Sequence, residues 1–348
     1  MSVGQRVWEW HYGVDTVPIS PSELERIDRA IKTQLDVLRH SATVEASVLR
    51  LLEQMRKELI SKLARADLTN WSKQRLNTLL RDSEALIASY YTQAQTLLAP
   101  TYSTVAGVTA AQTATGLAAA ASIPSRAVLE SLVSNMLVEG ATTKAWWGKV
   151  AADTAFQFAS AVRQGIAQSE TQNQIFKRAN DVVGLAGRNS AALVHTSVMQ
   201  VMNDANIETL KSNADIAPSV RWLSTLDSST CELCGMRDGL TWDTLTQEPI
   251  GHDIPYADPP LHFGCRCKLV GVTKLDKYVE GQRASMFGPV DRKVTFTQFL
   301  KRQTPEFQDE VLGKGRADLY RAGKITLRDT VSGRGAPLTL KQLGEKYK

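Results

Sequence analysis

Four cysteines and one histidine crowd a short stretch: Cys231-Glu-Leu-Cys234, then His262, then Cys265-Arg-Cys267. No other cysteine occurs in the 348 residues. Two cysteines separated by two residues can chelate one ion, because a tight turn brings both sulfurs to one side. Zinc is the expected ion: it is tetrahedral, has no redox chemistry and suits thiolate and imidazole. Cys265 and Cys267 are read as alternate residues of a strand, which share a face and so can reach the same ion. Five donors then compete for four places. We expect Cys231, Cys234, Cys265 and Cys267 to bind, with His262 as a substitute ligand or a hydrogen-bond partner. A shell closed by protein is structural, and it would hold a sheet too small to hold itself. Two disulfides are the alternative in a secreted chain. Met1–Val14 lacks the basic start and apolar core of a signal peptide, which points to a reducing compartment and to metal.

Catalytic readings fit less well. Zinc deaminases place His-x-Glu before Pro-Cys-x-x-Cys, whereas here the CxxC comes first and Phe263-Gly264 follows His262. No H-E-x-x-H, phosphate loop or G-x-S-x-G occurs. Asp227, Asp238, Asp253 and Asp258 lie nearby, at a density of turn residues that suits turn and cap stabilisation better than acid/base work. We expect a non-enzyme. The alternative is an enzyme directed at nucleic acid or NAD and housed in the C-terminal third.

The elements that position this window read as helices before it and a mixed tail after it. Ser22 and Glu25 form a capping box, followed by Ile27, Ile31, Leu35, Leu38, Ala42, Leu49, Leu52, Leu59 and Leu63 on an amphipathic stripe, with one break allowed near Thr69-Asn70. Residues 85–125 carry no charge, and Val105–Ile123 is mostly Ala, Thr and Gly. That run is long enough to span a bilayer, but it is too weakly apolar to favour insertion. Close helix packing or a loose linker is the expected role, with a transient membrane contact left open and no stable span. A second helical block starts near Pro124 with Val128, Leu132, Met136, Trp146, Trp147, Phe156, Ala159, Val162 and Ile166. A break at Gly184/Gly187 precedes a last helix, to which His195 belongs without an assigned role. Strand-like runs at Val220–Leu226, Leu240–Trp242 and Cys265–Val272 surround the turn Asp238-Gly239. A linker with Gly281, Gly288 and Pro289 leads to short helices at Phe296–Leu300 and from Pro305. Thr339 and Gln342 form a last capping box. The fold class expected is α+β, mainly α: a long helical N-terminal body, a small zinc-stabilised β-rich module and a short mixed C-terminal extension. The divisions are 1–124, 125–218, 219–275 and 276–348.

Charge is uneven. Residues 292–348 hold 13 Lys/Arg and 6 Asp/Glu, a net of +7, so the rest of this +5 chain sits at −2. A basic tail on a near-neutral body suggests an acidic partner or nucleic acid. The candidate contacts are Lys314, Arg316, Arg321, Lys324, Arg328 and Arg334.

Residues 221–242, RWLSTLDSSTCELCGMRDGLTW, and 259–270, PPLHFGCRCKLV, resemble the signature of the phage head morphogenesis proteins, the Mu F-like minor head protein family. The matching positions are Trp222, Thr225, Asp227, Thr230, Cys231, Cys234, Asp238, Gly239, Pro259, Pro260, His262, Cys265, Arg266 and Cys267. Phe263 departs from the pattern, where proline is common. Residues 188–210 are similar to the helix before the module in that family, and residues 312–343 to a C-terminal extension of Mu-like relatives. The resemblance thus spans about 125–348. It implies a minor capsid protein of the virion, inside the capsid near the portal vertex and in the host cytoplasm during assembly. Implied partners are the portal protein, the major capsid or scaffold protein, and packaged DNA. Implied roles are head morphogenesis and DNA packaging, with ejection alongside the DNA left open. Some relatives carry toxin or transferase domains; no nucleophile or base set here supports carrying that over.

Overall fold

Helix-period burial builds most of the molecule. The computed structural model describes residues 21–66, 72–118, 120–273, 281–332 and 337–346, with side chains from residue 42 to residue 345. The Ser22–Glu25 box and the stripe from Ile27 to Leu38 therefore lie outside the described side chains, as does Arg334 outside the described residues. Helix α1 (Pro21–Arg65) and helix α2 (Lys73–Leu117) pack as a hairpin. The buried stripe of α1 is Val44, Val48, Leu52, Met55, Leu59 and Leu63. The expected stripe is right at Leu52, Leu59 and Leu63, but Ala42 and Leu49 face solvent. Steps of three or four residues keep one face, and Leu49 falls a residue past the Val44–Val48 line.

The uncharged run is not a linker. Helix α2 continues through Pro100 to Leu117 and buries Val105, Ala106, Thr109, Ala110 and Ala114. Small side chains let its neighbours approach closely, as expected for packing. Among the described residues no helix is long and apolar enough to cross a membrane.

After α2 come helix α3 (Arg126–Asn135), a two-residue hairpin of β1 (Leu137–Val138) and β2 (Ala141–Thr142), helix α4 (Thr143–Ala167) and helix α5 (Gln172–Lys211). Thr142 caps α4, and Thr171 with Gln174 forms a capping box on α5. The expected break at Gly184/Gly187 is absent, since α5 runs through both. A helical glycine costs only about 1 kcal/mol against alanine, too little to stop a 40-residue helix with a continuous buried face. The chain actually turns at Gln168–Thr171. In α4 it is Phe158, at 1% exposure, that enters the core, while Phe156 is 75% exposed. One apolar cluster runs from Val44 to Ala205, so residues on both sides of position 124 share a core.

The module behind α5 is a four-stranded antiparallel sheet in the order β5–β4–β3–β6: β3 Ser219–Leu223, β4 Thr241–Asp243, β5 Pro249–Ile250 and β6 Lys268–Val272. Val220 pairs with Trp242 on one side and Gly271 on the other. Trp222 and Trp242 are buried. A Cβ on Gly271 would stand 2.7 Å from Leu210 and 3.1 Å from Ala217, so the sheet lies directly on the end of α5. The short helix α6 (Glu232–Gly235) bulges from the sheet.

The extension contains hairpin β7 (Gln282–Ser285) and β8 (Gly288–Asp291), followed by α7 (Phe296–Lys301), α8 (Pro305–Leu312), α9 (Lys314–Arg321) and α10 (Leu340–Lys346). Gly288 and Pro289 thus lie in a hairpin where a linker is expected. Thr339 and Gln342 make the expected box. Phe296, Phe299, Leu300, Phe307, Leu312, Ala317 and Leu327 form an apolar cluster closed by Leu226 of the module.

Candidate metal centre

Local geometry gathers the donors. Cys231 caps the N-terminus of α6 and Cys234 lies three residues on, inside its single turn. None of the four cysteines is in a disulfide. His262 Nε2 stands 3.2 Å from Cys231 Sγ and 3.3 Å from Cys234 Sγ. Cys234 Sγ is 3.7 Å from Cys265 Sγ. A tetrahedral zinc with Zn–S bonds of about 2.3 Å sets two sulfurs roughly 3.8 Å apart. The donors form two overlapping groups, Cys231–Cys234–His262 and Cys234–Cys265–Cys267, with Cys234 common to both. Cys265 and Cys267 lie on the extended lead-in to β6, just before the strand on which they are expected.

The histidine is set up as a donor. Its Nδ1 is 2.9 Å from the Phe263 carbonyl, so Nδ1–H donates there, and in the neutral ring the Nε2 lone pair would be free for a metal. Cys267 is differently engaged, its thiol donating to Ser224 Oγ at 3.5 Å. The space among these side chains has a cavity volume of about 10 Å³. That suits an ion or one water and is far below the several hundred Å³ of a metabolite pocket.

Protons divide unequally among the thiols. A hydrogen bond from Cys234 holds the Cys231 thiol down to about 4, helped by His262. Sharing with Cys231, Cys265 and Cys267 pushes Cys234 well up. Cys265 is held down to about 2, first by Cys234 and then by Cys267. Cys267 is lowered by Cys234, but its bond to Cys265 and burial outweigh that and raise it. His262 is pushed up to about 9 by its bond to Cys231. Sulfurs this close cannot all ionise unless something else supplies positive charge, and a divalent cation does so.

Surrounding residues fix the loops. Arg266, between the two cysteines, grips Asp227 with both guanidinium nitrogens at 2.6 and 2.7 Å. Burial opposes ionisation of Asp227, yet Arg266 and the Ser229 amide keep its carboxyl below the usual range. Helix α5 supplies three more supports. Thr196 Oγ1 accepts from the Gly264 amide at 3.0 Å, Asn203 donates to the Cys267 carbonyl at 3.2 Å, and Asn206 donates to that of Leu269 at 2.9 Å. Thr196, Asn203 and Asn206 are seven and three residues apart and so share a helix face. Polar residues on an otherwise apolar face were the available signal for them. Phe263 packs edge-on to Trp146, with ring centres 5.0 Å apart.

Residues 157–270 match the family described as phage Mu protein F like protein. Over that stretch the chain is similar to Mu F-like proteins. The Mu F-like match takes in the second part of α4, all of α5 and the sheet through β6, so it holds the cysteines together with the helix that supports them. It is narrower than the expected 125–348 and ends before the extension. Searches of curated proteins and of solved structures return no match.

The other candidate contacts lie on the extension beyond this Mu F-like region. Arg316 pairs with Glu232 at 2.8 Å, Arg321 with Asp309 at 2.8 Å, and Arg328 with Asp253. Lys314 and Lys324 are exposed. Of the four nearby aspartates, Asp238 is more than a turn residue. Its buried carboxylate pairs with Arg283 at 2.9 Å and accepts from the Ser224 and Phe296 amides at 2.7 and 2.6 Å.

Proposed function

We propose that this chain is a phage minor head protein, a structural and assembly component of the procapsid associated with the portal vertex. The observation that carries the reading is the match to Mu F-like proteins over a region built around five thiol and imidazole donors, with room between them for no more than an ion or one water. Such a centre holds shape and does no chemistry on a substrate, which supports a non-enzymatic role. The division proposed is a helical body, a Cys/His module and an extension. The body would meet the portal or the major capsid or scaffold protein, and the extension would face packaged DNA or an acidic lumen. The protein would then reside in the virion, after assembly in the host cytoplasm.

Zinc is the metal proposed. Cys231, Cys234, Cys265 and His262 would hold it, in place of the four-cysteine set that spacing suggests, because His262 presents Nε2 to two sulfurs while the Cys267 thiol bonds Ser224. When bound, zinc supplies the positive charge that lets neighbouring thiolates coexist and cross-links α6 to the lead-in of β6. Elemental analysis of protein purified without added metal should give about one zinc per chain. His262→Ala should lose most of it and Cys267→Ser should keep it; the reverse result would restore the four-cysteine set. The role itself is tested in particles. The protein should be found in immature and mature heads, and deletion of its coding sequence should block head assembly or packaging. Its absence from heads, with assembly unaffected, would overturn the reading.

A further inference from the structure

Helix α6 has two working faces. One turns Cys231 and Cys234 toward the donor cluster. The other is covered by the extension, and the contacts there are close. Glu232, between the two cysteines, is 5% exposed and pairs with Arg316 of α9 at 2.8 Å. A Cβ on Gly235 would stand 2.3 Å from the Phe296 ring, so that ring lies against bare backbone. Met236 packs against the apolar clusters of both the module and the extension. Asp238 accepts from the Phe296 amide and pairs with Arg283. Gly239, at φ +86°, has the Thr295 methyl 2.9 Å from where its Cβ would be. Behind these residues, Ser224 Oγ donates to the Cys234 carbonyl at 2.9 Å and accepts from Cys267, while its amide donates to Asp238. Residues 231–239 therefore carry metal donors on one side and the seat of the extension on the other.

Four residues of helix do not persist by themselves. The shape of α6 must come from what its two faces are tied to. We propose that the Cys/His centre is a latch for the C-terminal extension: with metal bound, α6 and the turn after it present Glu232, Gly235 and Asp238 in the geometry that seats residues 281–332, and loss of the metal releases that segment while the helical body stays folded. Arg283, Arg316 and Arg328, paired with Asp238, Glu232 and Asp253 in the seated form, are then uncovered. The latch rests on the metal reading above.

The test is hydrogen exchange on the full chain before and after chelation, with metal content measured on the same samples. Chelation should speed exchange of amides in residues 296–331 by about tenfold or more and leave those of α4 and α5 within about twofold. Glu232→Arg should loosen the same segment with the metal retained, and adding Arg316→Glu to it should restore protection. Metal lost with the extension still protected would overturn the latch alone, as would Glu232→Arg without effect. Exchange rising equally in α4 and α5 would also overturn it, because the event would be global unfolding. A purified chain with no metal would overturn the metal reading and the latch together.

Discussion

The helical body and the Cys/His module solve the same problem with different physics. In the body, long helices bury stripes of apolar side chains, and interior hydroxyls return to their own helix: Ser190, Ser197 and Thr209 each donate to a carbonyl four residues back. Stability there is spread over dozens of contacts. In the module, strands of two to five residues bury only Val220, Trp222, Trp242 and Leu269, and the loops are held at points: the Arg266–Asp227 pair, the side-chain amides of α5 and, on the zinc proposal, the five metal-type donors. A distributed core loses stability in proportion to what is removed. A point-held structure should lose its shape when one point goes.

The sharpest way to break that contrast is to take the clasp away. Structural zinc contributes on the order of 10 kcal/mol in small metal-held domains. Chelation, or Cys234→Ser, should abolish the near-ultraviolet dichroism of Trp222 and Trp242 and leave most far-ultraviolet helix signal. Simultaneous loss of both signals would show that body and module unfold as one. Next in size is Asp238→Ala, which leaves Arg283 unpaired at a site where the carboxylate itself is fully buried. Breaking such a pair costs about 3–5 kcal/mol. The loss should appear in a melt of the extension and module, with α5 exchange unchanged.

The body offers a matched pair. Phe158→Ala removes a core ring and should cost about 3–5 kcal/mol in denaturant unfolding, at the cost of a cavity. Phe156→Ala, two residues away on the exposed face, should change stability by no more than about 0.5 kcal/mol. Equal effects would mean that Phe156 is covered in solution.

The pair also marks what the sequence makes legible. Residue type and spacing pick out the five side chains that the fold brings together, because a metal site would need those side chains and a turn between them. Periodicity reveals that helices exist. It does not phase them: in α4 apolar residues lie on several sides, and Phe156 and Phe158 look alike until α2 and α5 are in place. Glycines read as breaks at 184 and 187 are overridden by the continuous buried face of α5. The basic tail is the clearest case. Arg316 meets its acid 84 residues back and Arg328 75 residues back, separations over which no local pattern carries information. The same holds for Ser224, whose link between Cys234, Cys267 and Asp238 exists only once β3 is paired.

A small effect of the opposite sign is expected at the seam between the two regions. Asp204, on the face of α5 toward the module, is raised to about 6 by burial, with Asp258 adding to the rise and a hydrogen bond from Gln200 opposing it. An unfolded aspartate titrates near 3.9. The folded chain therefore binds a proton that the unfolded chain lacks between about pH 4 and 6, so this group favours folding as pH falls through that window and costs stability above it. Discounted for partial exposure, that cost at pH 7 is about 1 kcal/mol. Asp204→Asn keeps an acceptor for Gln200 and removes the charge. It should raise the midpoint of unfolding at pH 7, and the gain should vanish near pH 4. A destabilised variant, or a gain independent of pH, would mean that the Asp204 carboxylate makes a contact the module needs, and the seam would then be held by a point like the rest of the sheet.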